Sequence, residues 1–253
     1  MEDKIIVIGL GEMGSVFARG FLKLGYPVYP VTRSNDITQM AANIPDPRLV
    51  IVAVGEGDIH NAIDSLPASW RNNTLLLQNE LLPRDWKNKI NDPTVISVWF
   101  EKKKGQDSKV IIPSPVYGPN ATLVKNALAS LDIASRVVDW PEELLYELVR
   151  KNVYILTSNI AGLVVGGTVS ELWNNHQNLA TRVVGDVLKI QEKLTHTTLE
   201  TASYTEGMVE AFNGDPDHKC MGRSAPARLA RALKQAEEFG IATPTLQEIQ
   251  SKT

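Results

Sequence analysis

A short β-branched run, Ile5-Ile-Val-Ile8, leads straight into Gly9-Leu10-Gly11-Glu12-Met13-Gly14 and then into a helical pattern near residues 14–24. No other stretch restricts the fold as tightly. Glycines at this spacing mean little alone, but between a strand and a helix they form a phosphate-binding turn. Gly9 permits the tight turn, Gly11 lets a pyrophosphate approach the backbone, and Gly14 lets the helix pack closely on the strand. The helix start then presents free N–H groups and a partial positive charge to an anion. Gly25 and Pro27 close the helix in the usual order. Residues 9–14 are therefore expected to bind a dinucleotide.

The same alternation continues through the first half. Runs at Ile5–Ile8, Val28–Val31, Leu49–Val54, Thr74–Gln78, Val95–Trp99, Val110–Ile112 and Arg136–Val138 read as strands. Several are continuously apolar, as expected of strands buried on both faces of a parallel sheet. Residues 1–139 are expected to form an α/β domain of Rossmann type, with a doubly wound, mostly parallel sheet. At Asp139-Trp-Pro141-Glu-Glu143 the pattern changes to a capping residue, a first-turn proline and two acids. Helical patterns follow to about Val165, at Glu171–Leu194, at Ser203–Phe212 and at Ala225–Phe239, the last closed by Gly240 and Pro244. Residues 140–253 are thus expected to form a smaller all-helical domain.

Composition narrows the function. The 253 residues carry 26 Lys plus Arg against 29 Asp plus Glu, a net charge of -3 that gives no chain-wide reason to bind nucleic acid or an anionic membrane. A single cysteine, Cys220, excludes an internal disulfide or zinc cluster and fits a reducing, cytoplasmic compartment. The start of the sequence lacks a basic n-region, and the apolar stretch Ile155–Val169 is too short and too polar to span a bilayer. His60, His176, His196 and His218 have no metal-ligand spacing, so no metal is expected.

The end of the second strand bears on the choice of cofactor. NAD enzymes place an acid there to hold the ribose hydroxyls, whereas an arginine suits the 2′-phosphate of NADPH. This chain has Thr32-Arg33-Ser34, one guanidinium flanked by two hydroxyls, with Asp36 close enough to weaken the preference. NADPH is expected. Farther on, Lys151 interrupts an apolar helical pattern and Asn159 lies eight residues later, on an adjoining side of the same helix, with Ile155 between them on the stripe. A lysine there suits carbonyl reduction, stabilising charge on oxygen and donating the proton. A snorkelling lysine and a satisfied buried asparagine would have the same spacing.

On these residues the chain resembles the ketopantoate reductases, NADPH enzymes that reduce 2-dehydropantoate to pantoate on the way to pantothenate and coenzyme A. The resemblance is carried by IIVIGLGEMGS, Arg33, Leu77-Gln78-Asn79, Lys151 and Asn159. It implies that Lys151 is the general acid, that Asn79 lies near nicotinamide and substrate, and that Asn159 positions the substrate. The chain departs from the family at Ile155, where the first helical asparagine is expected, and in lacking the carboxy-terminal Ser-Ser-Met and glutamate; its second domain is also short. Arg223 and Ser224 are candidates for the substrate carboxylate, with Lys219 a further one. The partner implied is a small 2-keto acid, and a homodimer is allowed.

Two other enzyme readings stay open. Gly9–Gly14 fits β-hydroxyacid dehydrogenases equally well, and Ser114-Pro-Val-Tyr-Gly118 faintly resembles their substrate loop, but the surroundings of Lys151 lack their glycine-rich turn and paired asparagines. An imine reductase is a weaker option. A non-catalytic NADPH-binding sensor or scaffold is the alternative outside enzymes, although a retired site has no reason to keep Lys151.

Overall fold

A computed structural model describes residues 3–253. The chain divides into two compact units, Met1–Leu148 and Val149–Thr253. In the first, strands and helices alternate as β1 (Ile5–Ile8), α1 (Glu12–Lys23), β2 (Val28–Val31), α2 (Ile37–Asn43), β3 (Leu49–Val52), α3 (Ile59–Asp64), β4 (Thr74–Leu76) and β5 (Thr94–Ile96). A hairpin of β6 (Phe100–Glu101) and β7 (Lys109–Val110), then β8 (Ser114–Tyr117), α4 (Ala121–Ala129) and β9 (Ser135–Val137), complete it.

Seven strands form one sheet in the order β2-β1-β3-β4-β5-β8-β9. Every pairing is parallel except β5 with β8. The continuous apolar runs have the expected cause, since β1 and β3 are buried along their whole length. After β1 the chain goes to one side for β2 and returns to the other for β3, which puts the topological switch beside β1. Phe17 and Phe21 of α1, Val124 and Leu128 of α4, and Ile5, Val7 and Ile51 of the sheet share one core. Gly20 brings the two helices into backbone contact, because a Cβ there would lie 2.5 Å from the Ala127 carbonyl oxygen.

One strand differs from expectation. Ser114–Tyr117 is β8, inside the sheet between β5 and β9, and not a substrate-type loop. Its proline is tolerated because β5 ends at this level, where the Pro115 carbonyl still accepts a bond from the Ser97 N–H at 3.0 Å.

The long helix α5 (Pro141–Val165) begins in the first unit and ends in the second. Arg136, at β9, donates to Glu143 and to Glu147, each at 2.6 Å, tying the first turns of α5 to the sheet. For that reason the compact first unit extends past residue 139. The second unit continues with α6 (Val169–Asn175), α7 (Gln177–Thr195), α8 (Thr201–Gly214), α9 (Ala225–Glu238) and α10 (Pro244–Gln250). The expected helix 171–194 is two helices, separated at His176, whose ψ of 31° is not helical. Pro244 stops nothing; it opens α10, where its missing N–H costs no bond. Buried Asp186 of α7 accepts from the Thr245 and Leu246 N–H groups at 2.8 and 3.4 Å, capping α10 from a neighbouring helix. Among the described residues no helix is long and apolar enough to cross a membrane.

Two substitutions test this packing by thermal or urea unfolding. Gly20→Ala should destabilise the chain by about 1–3 kcal/mol, since α1 must move off α4 to admit the methyl group. Asp186→Ala should cost about 1–2 kcal/mol through loss of the cap, and a variant as stable as the parent would show that α10 holds without it.

Candidate active site

The three glycines of the turn have separate structural duties. Gly9 has φ +88°, and a Cβ there would lie 2.7 Å from the Ala53 carbonyl oxygen. A Cβ on Gly14 would lie 2.1 Å from the Gly9 carbonyl oxygen, so the first turn of α1 rests directly on the end of β1. Gly11 needs its hydrogen for neither reason: its φ is -77° and a Cβ would meet nothing within 4 Å. The missing side chain therefore leaves room for something outside the chain, as a pyrophosphate requires. No side chain caps α1, which keeps its first N–H groups available to an anion. Leu10, Gly11 and Glu12 are exposed and Met13 is half-buried.

A groove of about 400 Å³ runs from this turn past the ends of β2 and β3, lined by Gly9, Val31, Thr32, Arg33, Asn35 and Asp58 among others. At its rim the Thr32 hydroxyl donates to Asn35 Oδ1 at 2.8 Å and lies 2.9 Å from the Ser34 hydroxyl. The Asp36 carboxylate accepts from the Thr38 and Gln39 N–H groups at 2.8 and 3.2 Å, capping α2. The acid that weakened the cofactor preference in the sequence is thus engaged in the fold. The Arg33 side chain is 98% exposed, with its guanidinium 3.9 Å from the Asp58 carboxylate, a contact too long and too solvated to hold it firmly. Lys102 adds a second cation near this turn. From the β6–β7 hairpin its ammonium reaches 3.6 Å from Glu12 in the first turn of α1, and it donates to the Lys103 carbonyl at 2.9 Å. The run Lys102-Lys-Lys104 was visible, but nothing in the sequence aimed its first member at the glycine turn.

At the end of β4, the Gln78 amide donates to the Val52 carbonyl at 2.5 Å and accepts from the Leu77 N–H at 3.1 Å. This buried bridge fixes the strand end, and half-buried Asn79 follows it directly.

The remaining candidates belong to the second unit. Lys151 is 8% exposed, and its ammonium sits 5.3 Å from the centre of the Tyr154 ring, within cation–π range. Phe212 and His218 flank that ring at 5.5 and 6.1 Å, and buried Asp215 lies 3.7 Å from His218. Asn159 is 6% exposed and hydrogen-bonded on both ends of its amide. It donates to the Cys220 carbonyl at 3.0 Å and to the Ser158 hydroxyl at 3.4 Å, while its oxygen accepts from Arg228 at 2.7 Å. In this structure Asn159 anchors the segment running to Arg223 and Ser224.

The same segment packs closely on α5, where a Cβ on Gly162 would lie 2.8 Å from the Cys220 Cβ. Burial, with a smaller effect of Glu171, pushes the Cys220 thiol up to about 11, which makes it an inert packing group. Beyond it, Lys219 and Arg223 are exposed and Ser224 is half-buried just before α9. Arg228, and not Arg223, is the arginine set against Asn159. Its signal was present in the sequence, since Arg228 shares the apolar stripe of Ala225, Leu229, Ala232 and Ala236 on α9.

No protein-family model matches the sequence, and no curated protein matches it. Solved structures do. The 2-dehydropantoate 2-reductase from Methylococcus capsulatus is similar at TM-score 0.69 and 13% identity, over 98% of this chain and 94% of that one. The 2-dehydropantoate 2-reductase from Porphyromonas gingivalis W83 is similar at TM-score 0.65 and 10% identity, over 100% and 99%. A D-mandelate dehydrogenase with NADH is similar at TM-score 0.64 and 13% identity, over 98% and 96%. At these identities the likeness is one of fold, and it spans both units: the chain has the fold of the ketopantoate reductases, a Rossmann-type α/β unit continued by an all-helical one.

Proposed function

We propose that the chain is a nicotinamide-dependent reductase of small branched 2-keto acids that uses NADPH. The observation that carries this reading is Gly11, a glycine that neither backbone angle nor packing requires, in the same turn as Gly9, which lines a groove beside the switch point of a parallel sheet. The similar structures named for 2-dehydropantoate reduction and for mandelate dehydrogenation support the substrate class. Within that class, 2-dehydropantoate is the member that the sequence resemblance implies, and its turnover is the first comparison to make.

Residues 9–14 hold the pyrophosphate through backbone N–H groups, with Lys102 as a second cation beside them. Arg33, Thr32 and Ser34 take the 2′-phosphate, and Asp36 is used as the cap of α2 and not as a ribose ligand. When bound, the nicotinamide supplies the hydride that reaches the keto carbon. Lys151 stabilises the negative charge developing on the keto oxygen and donates the proton, so that the carbonyl becomes a hydroxyl. Tyr154 seats the ammonium, and Asn79 orients the substrate. Arg223 and Ser224 take the substrate carboxylate, on a segment that Asn159 holds in place.

Steady-state oxidation of NADPH against a panel of branched 2-keto acids tests the reading. Lys151→Ala should lower kcat by roughly 10²–10⁴-fold, with NADPH binding unchanged. Lys151→Arg should recover little, because a guanidinium retains its proton. Tight NADPH binding by the parent chain with no turnover of any 2-keto acid would leave a sensor in place of an enzyme. Arg33→Ala should weaken NADPH binding by about 10–100-fold, the loss expected for one charge-assisted hydrogen bond, and leave NADH binding nearly unchanged; equal losses for both cofactors would remove Arg33 from the phosphate site.

A further inference from the structure

We infer that the substrate group lying next to the reacting carbonyl is a hydrocarbon, so that this chain prefers 2-keto acids with unsubstituted alkyl branches to those bearing a side-chain hydroxyl. The inference rests on the reductase reading and on Lys151 as its proton donor. Two separate observations along one stripe of α5 carry it.

The first is Ile155. Four residues after Lys151 it is one turn farther along the helix and about 40° around it, so the two share a face. Both are 8% exposed. A helical side chain leans toward the turn on its N-terminal side, and Ile155 therefore covers the surface between its own Cα and that of Lys151. Whatever is bonded to a carbonyl held by the ammonium meets this surface, which offers only methyl and methylene groups. The second observation concerns the polar residues two turns past Lys151: the Ser158 hydroxyl donates to the Tyr154 carbonyl at 2.7 Å, and Asn159 is engaged as well. Its amide is already used on both ends, by Cys220 and Ser158 on the nitrogen and by Arg228 on the oxygen. Freeing it would break a buried bond to a guanidinium and release the segment before α9. Past Ile155, the polar side chains of this face, Ser158 and Asn159, are thus already held within the fold.

A hydroxyl brought against such a surface loses its water without gaining a partner. An apolar site rejects an added hydroxyl only moderately, on the order of 10–100-fold. The discriminating pair of substrates differs by one oxygen atom: 2-dehydropantoate and 3,3-dimethyl-2-oxobutanoate, the same molecule without its hydroxyl. Turnover of each with NADPH is compared as kcat/KM. Calorimetric titration of the two product alcohols, the corresponding 2-hydroxy acids, into the protein with oxidised cofactor gives a second readout that does not depend on chemistry.

The expected result is a kcat/KM for 3,3-dimethyl-2-oxobutanoate about 10–100-fold above that for 2-dehydropantoate, with product binding in the same order. Ile155→Asn should narrow or reverse the ratio, and Ile155→Leu should preserve it. Equal or better turnover of 2-dehydropantoate overturns the inference and leaves the reductase standing. A folded Ile155→Asn variant with an unchanged ratio also overturns it. Turnover and binding of neither acid overturns both this inference and the reading beneath it. Should Ile155→Asn fail to fold, the comparison on the unaltered chain decides alone.

Discussion

The contact between Gly14 and the Gly9 carbonyl is the constraint on which the rest of the first unit depends. It is a contact of backbone on backbone, with no space for even a methyl group between them. It seats the start of α1 at the end of β1, and α1 can then cover the sheet with Phe17 and Phe21 while α4 closes on it at Gly20. Because β2 and β3 lie on opposite sides of β1, the same contact places uncapped helical N–H groups at the switch point. The proposed cofactor turn and the core packing therefore share one set of glycines, of which only Gly11 has no packing duty.

Helix α5 joins two kinds of demand. Its first turns are held to the sheet by Arg136, and its later turns carry Lys151 and the polar residues Asn152 and Asn159 into the interior of the second unit. Each buried amide has a partner from a different helix or segment. Asn152 donates to Gln191 of α7 at 3.0 Å, and Asn159 is held by Arg228 of α9 and the Cys220 carbonyl. Arg150 reaches the Gly207 carbonyl of α8 at 2.9 Å. Such bonds add only modestly to net stability, but leaving any of these groups unmatched in the interior is costly. They fix which way round α5 faces, and with it the direction of Lys151.

Much of this was legible in advance. Continuous β-branched runs announced the parallel strands, and the glycine spacing announced the turn, because backbone angle and burial are written locally in residue type. Segments governed by distant partners were harder to read. Ser114–Tyr117 resembles a loop because it contains a serine and a proline, yet it is a strand, since the ending of β5 removes the need for a proline N–H. The run before Pro244 resembled a helix stop, yet a carboxylate from α7 begins a helix there. A cap supplied by a side chain nearly sixty residues away leaves no local trace.

The site divides along the same line. By itself the sequence determined the glycine turn between strand and helix, the cation Arg33 at the second strand and a lysine inside an apolar helical pattern, because each is a matter of residue type against a local period. Tertiary structure alone decided the use of the neighbouring polar groups. Asp36 caps α2, Asn159 anchors a segment, Lys102 arrives beside the phosphate turn, and Arg228 is the buried arginine. A polar side chain has a few hydrogen bonds to give, and sequence lists the givers; only the folded chain assigns the receivers.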